Sequence, residues 1–508
     1  MKISGRVLFF LLSLLNHSYV LAQAQVIGQK KIEHDGEVST SVTPNKKFIT
    51  YSVVSEKGED DKVEIVAYNE ELIEEGRFQT KCTEKNIYST HALSGTGEYY
   101  FSLIIDKARD IHSVVFNTST FEGTELHVEL EKKFVPNGNL DFLGGVSTAC
   151  FKNKFFILGT VKNVPCILVY NMLTGTQHIT FIPGMDKKNR VSFLSSGEAA
   201  PSLQVMFFNY KPKKIDAQYI ASVNEFGEVE GAPMSIPALK GKLLIDGNVT
   251  WIDEHTSLIC GATGESSSIA KGMYILEMKD GKVVRRSDYD FNDFKDFYAT
   301  LNAKTQQRME RKRNRRKNFE SQCYMVTHPV VFNENTWTIV GEVFYPTYRT
   351  EYRTTYVNGR AVTQAVYVFD GYAYSHAVVL QVSPELEKIR DYTFDLTIAD
   401  KPYYVKKFIR IAQVGTKLNF FYASYNTFGH ASLENGGIEK SDLVKIVNRE
   451  DDLKESEKIK SIVGSSVEYW YENYYLVTES YEVKDRDGEL GKKRKAYLQF
   501  KKIKLESL

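Results

Sequence analysis

TWTIVGEVFYPTYRTEYRTTYVNGRAVTQAVYVFDGYAYSHAVVLQV, residues 336–382, decides how the rest of the chain is read. It opens with an apolar, β-branched run and closes with another. Between them lies a polar and aromatic excursion that turns at Asn358-Gly359. That dipeptide favours two-residue hairpin loops, whose central residues both need positive φ. The stretch therefore reads as one long β-hairpin with a fixed register: Tyr356 opposite Ala361, Thr354 opposite Thr363, Tyr352 opposite Ala365. Side chains alternate along a strand. One face thus carries Tyr348, Thr350, Tyr352, Thr354 and Tyr356, joined by Thr363, Tyr367 and Phe369. The other carries Arg349, Glu351, Arg353 and Thr355 against Gln364, Val366 and Val368. An isolated two-stranded ribbon is marginal in water. Either the tyrosines lie down on the fold's own surface, or they form a platform for a partner protein or a glycan, using the ring's apolar body and polar tip.

Moving outward, the apolar run at residues 336–343 has seven counterparts. They lie at residues 48–54, 99–105, 155–161, 205–210, 257–262, 418–424 and 474–480. Each follows a turn cluster and precedes a second strand, such as residues 63–68, 166–170, 273–278, 376–382 and 496–500. A more polar third strand follows, clearest at residues 282–288 after Lys279-Asp280-Gly281. Most run starts are 50 to 56 residues apart, and the two longer intervals, 79 and 82, each contain a locatable insertion. These are residues 292–320 and the hairpin, residues 345–374. In repeat length and strand order the mature chain resembles β-propeller proteins, and within them the exported propellers of bacterial envelopes. The expected fold is all-β: one propeller of about eight four-stranded blades over residues 25–508, carrying one helical and one hairpin insertion. Seven blades would follow if the Lys-rich seventh unit, residues 406–462, were irregular. The last unit lacks a fourth strand, which residues 26–33 could supply, removing an open edge.

The first 24 residues read as a signal peptide. Lys2 and Arg6 precede an apolar core at residues 7–15, and Ala22-Gln23-Ala24 supplies a cleavage site. The expectation is an exported protein, periplasmic or extracellular, with no lipid anchor and no transmembrane segment. The 508 residues include 31 Tyr and 30 Phe, which suits half-buried sheet faces. A net charge of +1 gives no field that would recruit nucleic acid. The five cysteines, Cys82, Cys150, Cys166, Cys260 and Cys323, form no disulfide framework. Buried free thiols are expected, with a Cys150–Cys166 bridge as the alternative.

The first insertion is expected to be helical, with Asn292 as N-cap, Asp293 in the first turn, and Phe294, Phe297, Tyr298 and Leu301 as an apolar stripe. Its second half holds Lys304, Arg308, Arg311, Lys312, Arg313, Arg315, Arg316 and Lys317 against Glu310 and Glu320. It is read as a basic projection, either merely solvated or a contact for anionic partners.

Catalytic signals are sparse. No His-x-x-x-His or Glu-flanked metal pattern is read, and no nucleophile elbow or phosphate-binding glycine loop. Asp246-Gly247-Asn248-Val249-Thr250-Trp251 resembles an Asp-box turn only with its glycine misplaced. Asp485-Arg486-Asp487-Gly488 reads as a turn. No cofactor and no metal are expected, and no catalytic residue is assigned, because a propeller active site would draw single residues from several blades. The expected function is a non-enzymatic, protein-binding or scaffolding subunit of an envelope complex, such as one at the outer membrane. Its contact residues would be Tyr348, Tyr352, Tyr356, Tyr367, Arg349, Arg353, Arg311, Arg315 and Arg316. The alternative is a glycan-binding or glycan-cleaving propeller, favoured if two carboxylates, or His and Tyr, converge at the central funnel.

Overall fold

A computed structural model describes residues 24–505, apart from 35–37, 55–61, 82–85, 107–109, 131–139, 143–147, 187–188, 195–199, 210–216 and 238–241. Also outside it are 266–268, 299–322 (save 307 and 311), 358–359, 425–426, 435, 441–442, 446–456 and 486–493.

All eight repeated runs are the second strand of their own antiparallel sheet. In chain order they are Phe48–Val54, Tyr99–Asp106, Lys154–Val161, Leu203–Asn209, Thr256–Gly264, Thr336–Val357, Lys417–Ser424 and Tyr474–Asp485. Each sheet has four strand positions, in sequence order except that the N-terminal strand fills the fourth position of the last sheet, and one edge strand is split in four of them. The fourth strands are the most solvated, as in Glu74–Lys81 and Gly123–Glu129, so they face outward and the first strands line the axis. The seventh unit is regular, with Arg410–Val414, Lys417–Ser424, Thr427–Glu434 and Gly437–Lys440 in order.

The hydrophobic clusters count the blades. Because both faces of each middle strand are apolar, every sheet must bury a face against each neighbour. Separate clusters join blades 1–2, 2–3, 3–4, 4–5, 5–6, 6–7 and 7–8. An eighth unites Phe48, Tyr68 and Leu72 of blade 1 with Trp470, Leu476, Leu498 and Phe500 of blade 8, closing the ring. The protein is an eight-bladed β-propeller.

Closure also uses the chain ends as expected. Ala24–His34 pairs antiparallel with Arg494–Leu505, from Ala24 opposite Leu505 to His34 opposite Ala496. Lys31 lies 4.1 Å over the Tyr497 ring and Lys30 lies 4.6 Å over Tyr68. The N-terminal strand thus ties blade 8 to blade 1.

One sequence expectation needs correction. The first insertion does not begin a helix at Asn292. Asp290 is the cap, its carboxylate accepting from the Asn292 N–H at 3.0 Å, and the turn it starts is a single 3-10 turn, Phe291–Asp293. Packing ends it: Phe291 stacks on Phe297 at 4.0 Å, and Phe294 is buried in the same blade 5–6 cluster. The Lys295 N–H donates to Asp391 at 2.7 Å, tying the segment to the outer strand of blade 6. The apolar docking of this half is as expected, with Tyr298 half-buried beside it. Arg311 is exposed, whereas Arg315 and Arg316 lie outside the described residues. None of Cys150, Cys166, Cys260 and Cys323 forms a disulfide, and Cys82 lies outside the described residues.

Candidate functional site: an exposed hairpin over a buried polar clamp

The hairpin continues the two middle strands of blade 6. Thr336–Val357 and Arg360–Val382 pair along their whole length in the register read from the sequence, with Tyr352 opposite Ala365, Thr354 opposite Thr363 and Tyr356 opposite Ala361. Irregularities at Val343/Phe344 and Pro346/Tyr348 mark where the strands leave the ring, as bulges do where an edge is re-aimed.

Its base is anchored to the segment that crosses from blade 6 to blade 7. The Tyr372 N–H donates to the Pro402 carbonyl at 2.8 Å, and Thr347 Oγ1 donates to the Gly371 carbonyl at 2.8 Å. Gly371 has φ +89°, and a Cβ there would lie 2.3 Å from the Lys401 carbonyl oxygen. Only glycine fits both demands. Phe369 joins Tyr348, Tyr372 and Tyr403 in edge-to-face contacts with centroids 5.0–6.0 Å apart.

Beyond that base the tyrosines do not lie down on the ring. Tyr348 is 61% exposed, and Tyr352 and Tyr367 are each 77% exposed, all on one face. Tyr403 and Tyr404, at the foot of the hairpin, are exposed too. The side chain of Tyr356 lies outside the described residues. The opposite face is an internal ion-pair ladder. Glu351 accepts from Arg349 at 2.8 Å and from Arg353 at 3.4 Å, while Asp370 accepts from Arg349 at 3.3 Å and from Lys401 at 3.2 Å. The hydrogen bond to Glu351, then those to Tyr403 and Asp370, raise the Arg349 pKa. Both arginines are therefore half-exposed and already paired, so the surface on offer is aromatic more than cationic.

Below the hairpin, along the inner edge of blades 5 to 8, lies a set of buried charges absent from the expected site. Glu342, fully buried, accepts the N–H groups of Phe408 at 3.0 Å and Ile409 at 2.9 Å. Its Oε1 is also 2.7 Å from His328 Nε2. Burial keeps His328 below its usual pKa despite that carboxylate, so the neutral ring donates. Lys407 reaches Asn248 Oδ1 at 2.7 Å, and Asn248 in turn donates to Thr327 Oγ1 at 2.8 Å. The Ala262 N–H donates to Asp246 at 2.8 Å. Burial pushes the Asp246 carboxyl up and the Lys407 ammonium down, each opposed by the charge of the other. Arg410 holds Glu468 by a two-pronged contact, and Lys406 donates to the Ser465 carbonyl. The rejected Asp-box stretch thus supplies Asp246 and Asn248 to this network.

Carboxylates and a histidine do converge near the axis, which was the sign set for an enzyme. Glu342 accepts three hydrogen bonds with no exposed edge, and Lys407 is engaged with Asn248 and faces the charge of Asp246. The arrangement clamps residues 406–410 to blades 5, 6 and 8, and it holds the strand ends from which the hairpin departs.

A third grouping was also missed by sequence reading: His112, Glu125 and His127 meet on blade 2. His112 sits 15 positions before His127, but strand pairing sets the two opposite each other. No helix among the described residues is long and apolar enough to cross a membrane.

No protein-family model and no curated protein matches the sequence. In shape the chain is similar to the WD40 domain of SCAP from fission yeast, with TM-score 0.41 and 8% identity over 94% of this chain and 98% of that one. It is also similar to the dihydro-heme d1 dehydrogenase NirN in complex with DHE, with TM-score 0.44 and 10% identity over 100% and 86%. The Dos1 propeller gives 0.42 and 9% over 95% of each chain. Likenesses at this level carry nothing about activity, and the eight-bladed fold rests on the chain's own sheets and clusters.

Proposed function

We propose that this propeller is an exported, non-enzymatic, protein-binding subunit of a bacterial cell-envelope complex, and that its partner docks on the tyrosine face of the hairpin. The observation that carries this reading is a strand-paired, base-anchored ribbon presenting Tyr348, Tyr352 and Tyr367 to solvent. A paired ribbon loses little conformational freedom on binding, and tyrosine gives large contact area with two rotatable side-chain bonds. Pairing of Arg349 and Arg353 within the hairpin supports an aromatic rather than a charge-driven contact. The export part of this reading is supported by the N-terminal residues: Lys2, Arg6, the apolar core and Ala22-Gln23-Ala24. Arg311, exposed on the first insertion, belongs with Arg315 and Arg316 to a second, basic contact.

The test is affinity capture from a detergent-solubilised envelope fraction, comparing the intact protein with a Tyr348→Ser, Tyr352→Ser, Tyr367→Ser variant. A defined set of envelope proteins recovered by the intact protein alone is the expected result. Equal recovery by both would move the contact off the hairpin. Recovery of nothing by either would overturn the protein-binding reading.

A further inference from the structure

The outer half of blade 2 brings three metal-ligating side chains to one point. His112 lies on Asp110–Asn117, and Glu125 and His127 lie on Gly123–Glu129. His112 is directly opposite His127, and Glu125 is two residues earlier, so all three share a face. That face looks towards blade 1. Val114 and Phe116, on the same side of the strand as His112, pack in the blade 1–2 cluster and bury His112 to 4% exposure.

The distances suit a tetrahedral ion. His112 Nε2 is 3.4 Å from Glu125 Oε2, and His127 Nε2 is 3.5 Å from the same oxygen. Three ligand atoms bound at about 2.0–2.1 Å in a tetrahedron are separated by roughly 3.4 Å. All three donors lie within 4.8 Å of one another, so closing the remaining edge takes a small rotation.

A second observation points the same way. His112 is buried, its Nδ1 has no hydrogen-bond partner, and its Nε2 meets Glu125 Oε2 only at a long 3.4 Å. A buried polar group without a partner is costly, and such groups mark places where an ion or water belongs. The two imidazoles stack at 4.2 Å with their rings 15° apart, so the exposed His127 ring must turn for both in-plane lone pairs to meet one ion.

We propose that His112, Glu125 and His127 bind one divalent transition ion of the zinc class. Two imidazoles and one carboxylate select this class over Mg²⁺ or Ca²⁺, which prefer oxygen-only shells. With three protein ligands and His127 and Glu125 partly in solvent, the fourth position is open to water or to a side chain of a docked protein.

The test is isothermal titration of the purified full chain, untagged and stripped by chelation, with Zn²⁺, beside His127→Ala and Glu125→Gln. His127 is exposed, so its truncation leaves the fold intact, and matching unfolding curves for the stripped proteins check this. Co²⁺ is the spectroscopic stand-in, read by the intensity of its visible bands. Expected are one equivalent of Zn²⁺ in the wild type, at least a tenfold weaker site in each variant, and strong Co²⁺ bands that His127→Ala abolishes. No stoichiometric Zn²⁺ in the wild type, or binding unchanged by both substitutions, would overturn the proposal.

Discussion

Residues 337–344 and 348–357 belong to one strand and pair with one partner strand, but they meet different surroundings. In the first part Ile339 and Val343 enter the blade 5–6 cluster, while Val340 and Phe344 enter the blade 6–7 cluster. Both faces are covered, and Glu342 is held there by three donors. In the second part Tyr348 and Tyr352 are open to solvent on one face, and Arg349, Glu351 and Arg353 pair with charged neighbours on the other. Backbone pairing is common to both halves and cannot be what separates them. Neighbouring blades make one half scaffold, and their absence makes the other an accessible surface.

The largest expected effect lies in the covered half. Glu342→Leu leaves two backbone N–H groups and His328 without their acceptor at a fully buried site. A loss of about 3–5 kcal/mol is expected by denaturant titration. A loss of under about 1 kcal/mol would mean the clamp is decorative and the comparison is wrong.

At the boundary, Gly371→Ala puts a Cβ 2.3 Å from the Lys401 carbonyl at φ +89°. The expected cost is about 2 kcal/mol in the same titration, from strain and the shift it forces. Little change there would show that the hairpin base is not fixed to the crossing segment.

Acid sharpens the contrast further. Burial holds His376 and His430, both in the ring, at a pKa of about 4. The unfolded chain takes up their protons near pH 6.5, before the folded chain does. Their stabilisation is therefore complete above about pH 6.5 and lost as pH falls towards 4, by about 2 kcal/mol each by about pH 5. Between residues 347 and 369 there is no histidine, so a protein lacking the hairpin should lose stability over the same window. The check is a series of unfolding titrations across that range for both proteins.

Much of the ring was legible because its signals are local. Alternating apolar runs and turn clusters located all eight second strands, Asn358-Gly359 set the hairpin register, and the missing outer strand of the last unit pointed to the N-terminal segment. The clamp was not legible, since Lys407 meets Asn248 across 159 positions and Phe408 meets Glu342 across 66. Such contacts exist only once the blades close on an axis. His112 and His127 escaped for a related reason: metal-ligand spacing was sought along one segment, whereas pairing supplies it across two. The misplaced helix start reflects two cap-forming residues two positions apart, Asp290 and Asn292, between which the packing of Phe291, Phe294 and Phe297 decides.

The most direct measurement is the unfolding transition of a protein with residues 347–369 removed. This deletion joins Pro346 to Asp370-Gly371 and keeps Pro346 opposite Tyr372, with Asp-Gly suited to a two-residue turn. If the ring is the scaffold and the hairpin the exposed contact, the midpoint and slope should match the intact protein, with a difference of no more than about 0.5 kcal/mol. A loss of several kcal/mol, or a broadened transition, would show that the hairpin helps hold the ring and would contradict its role as a separable docking surface.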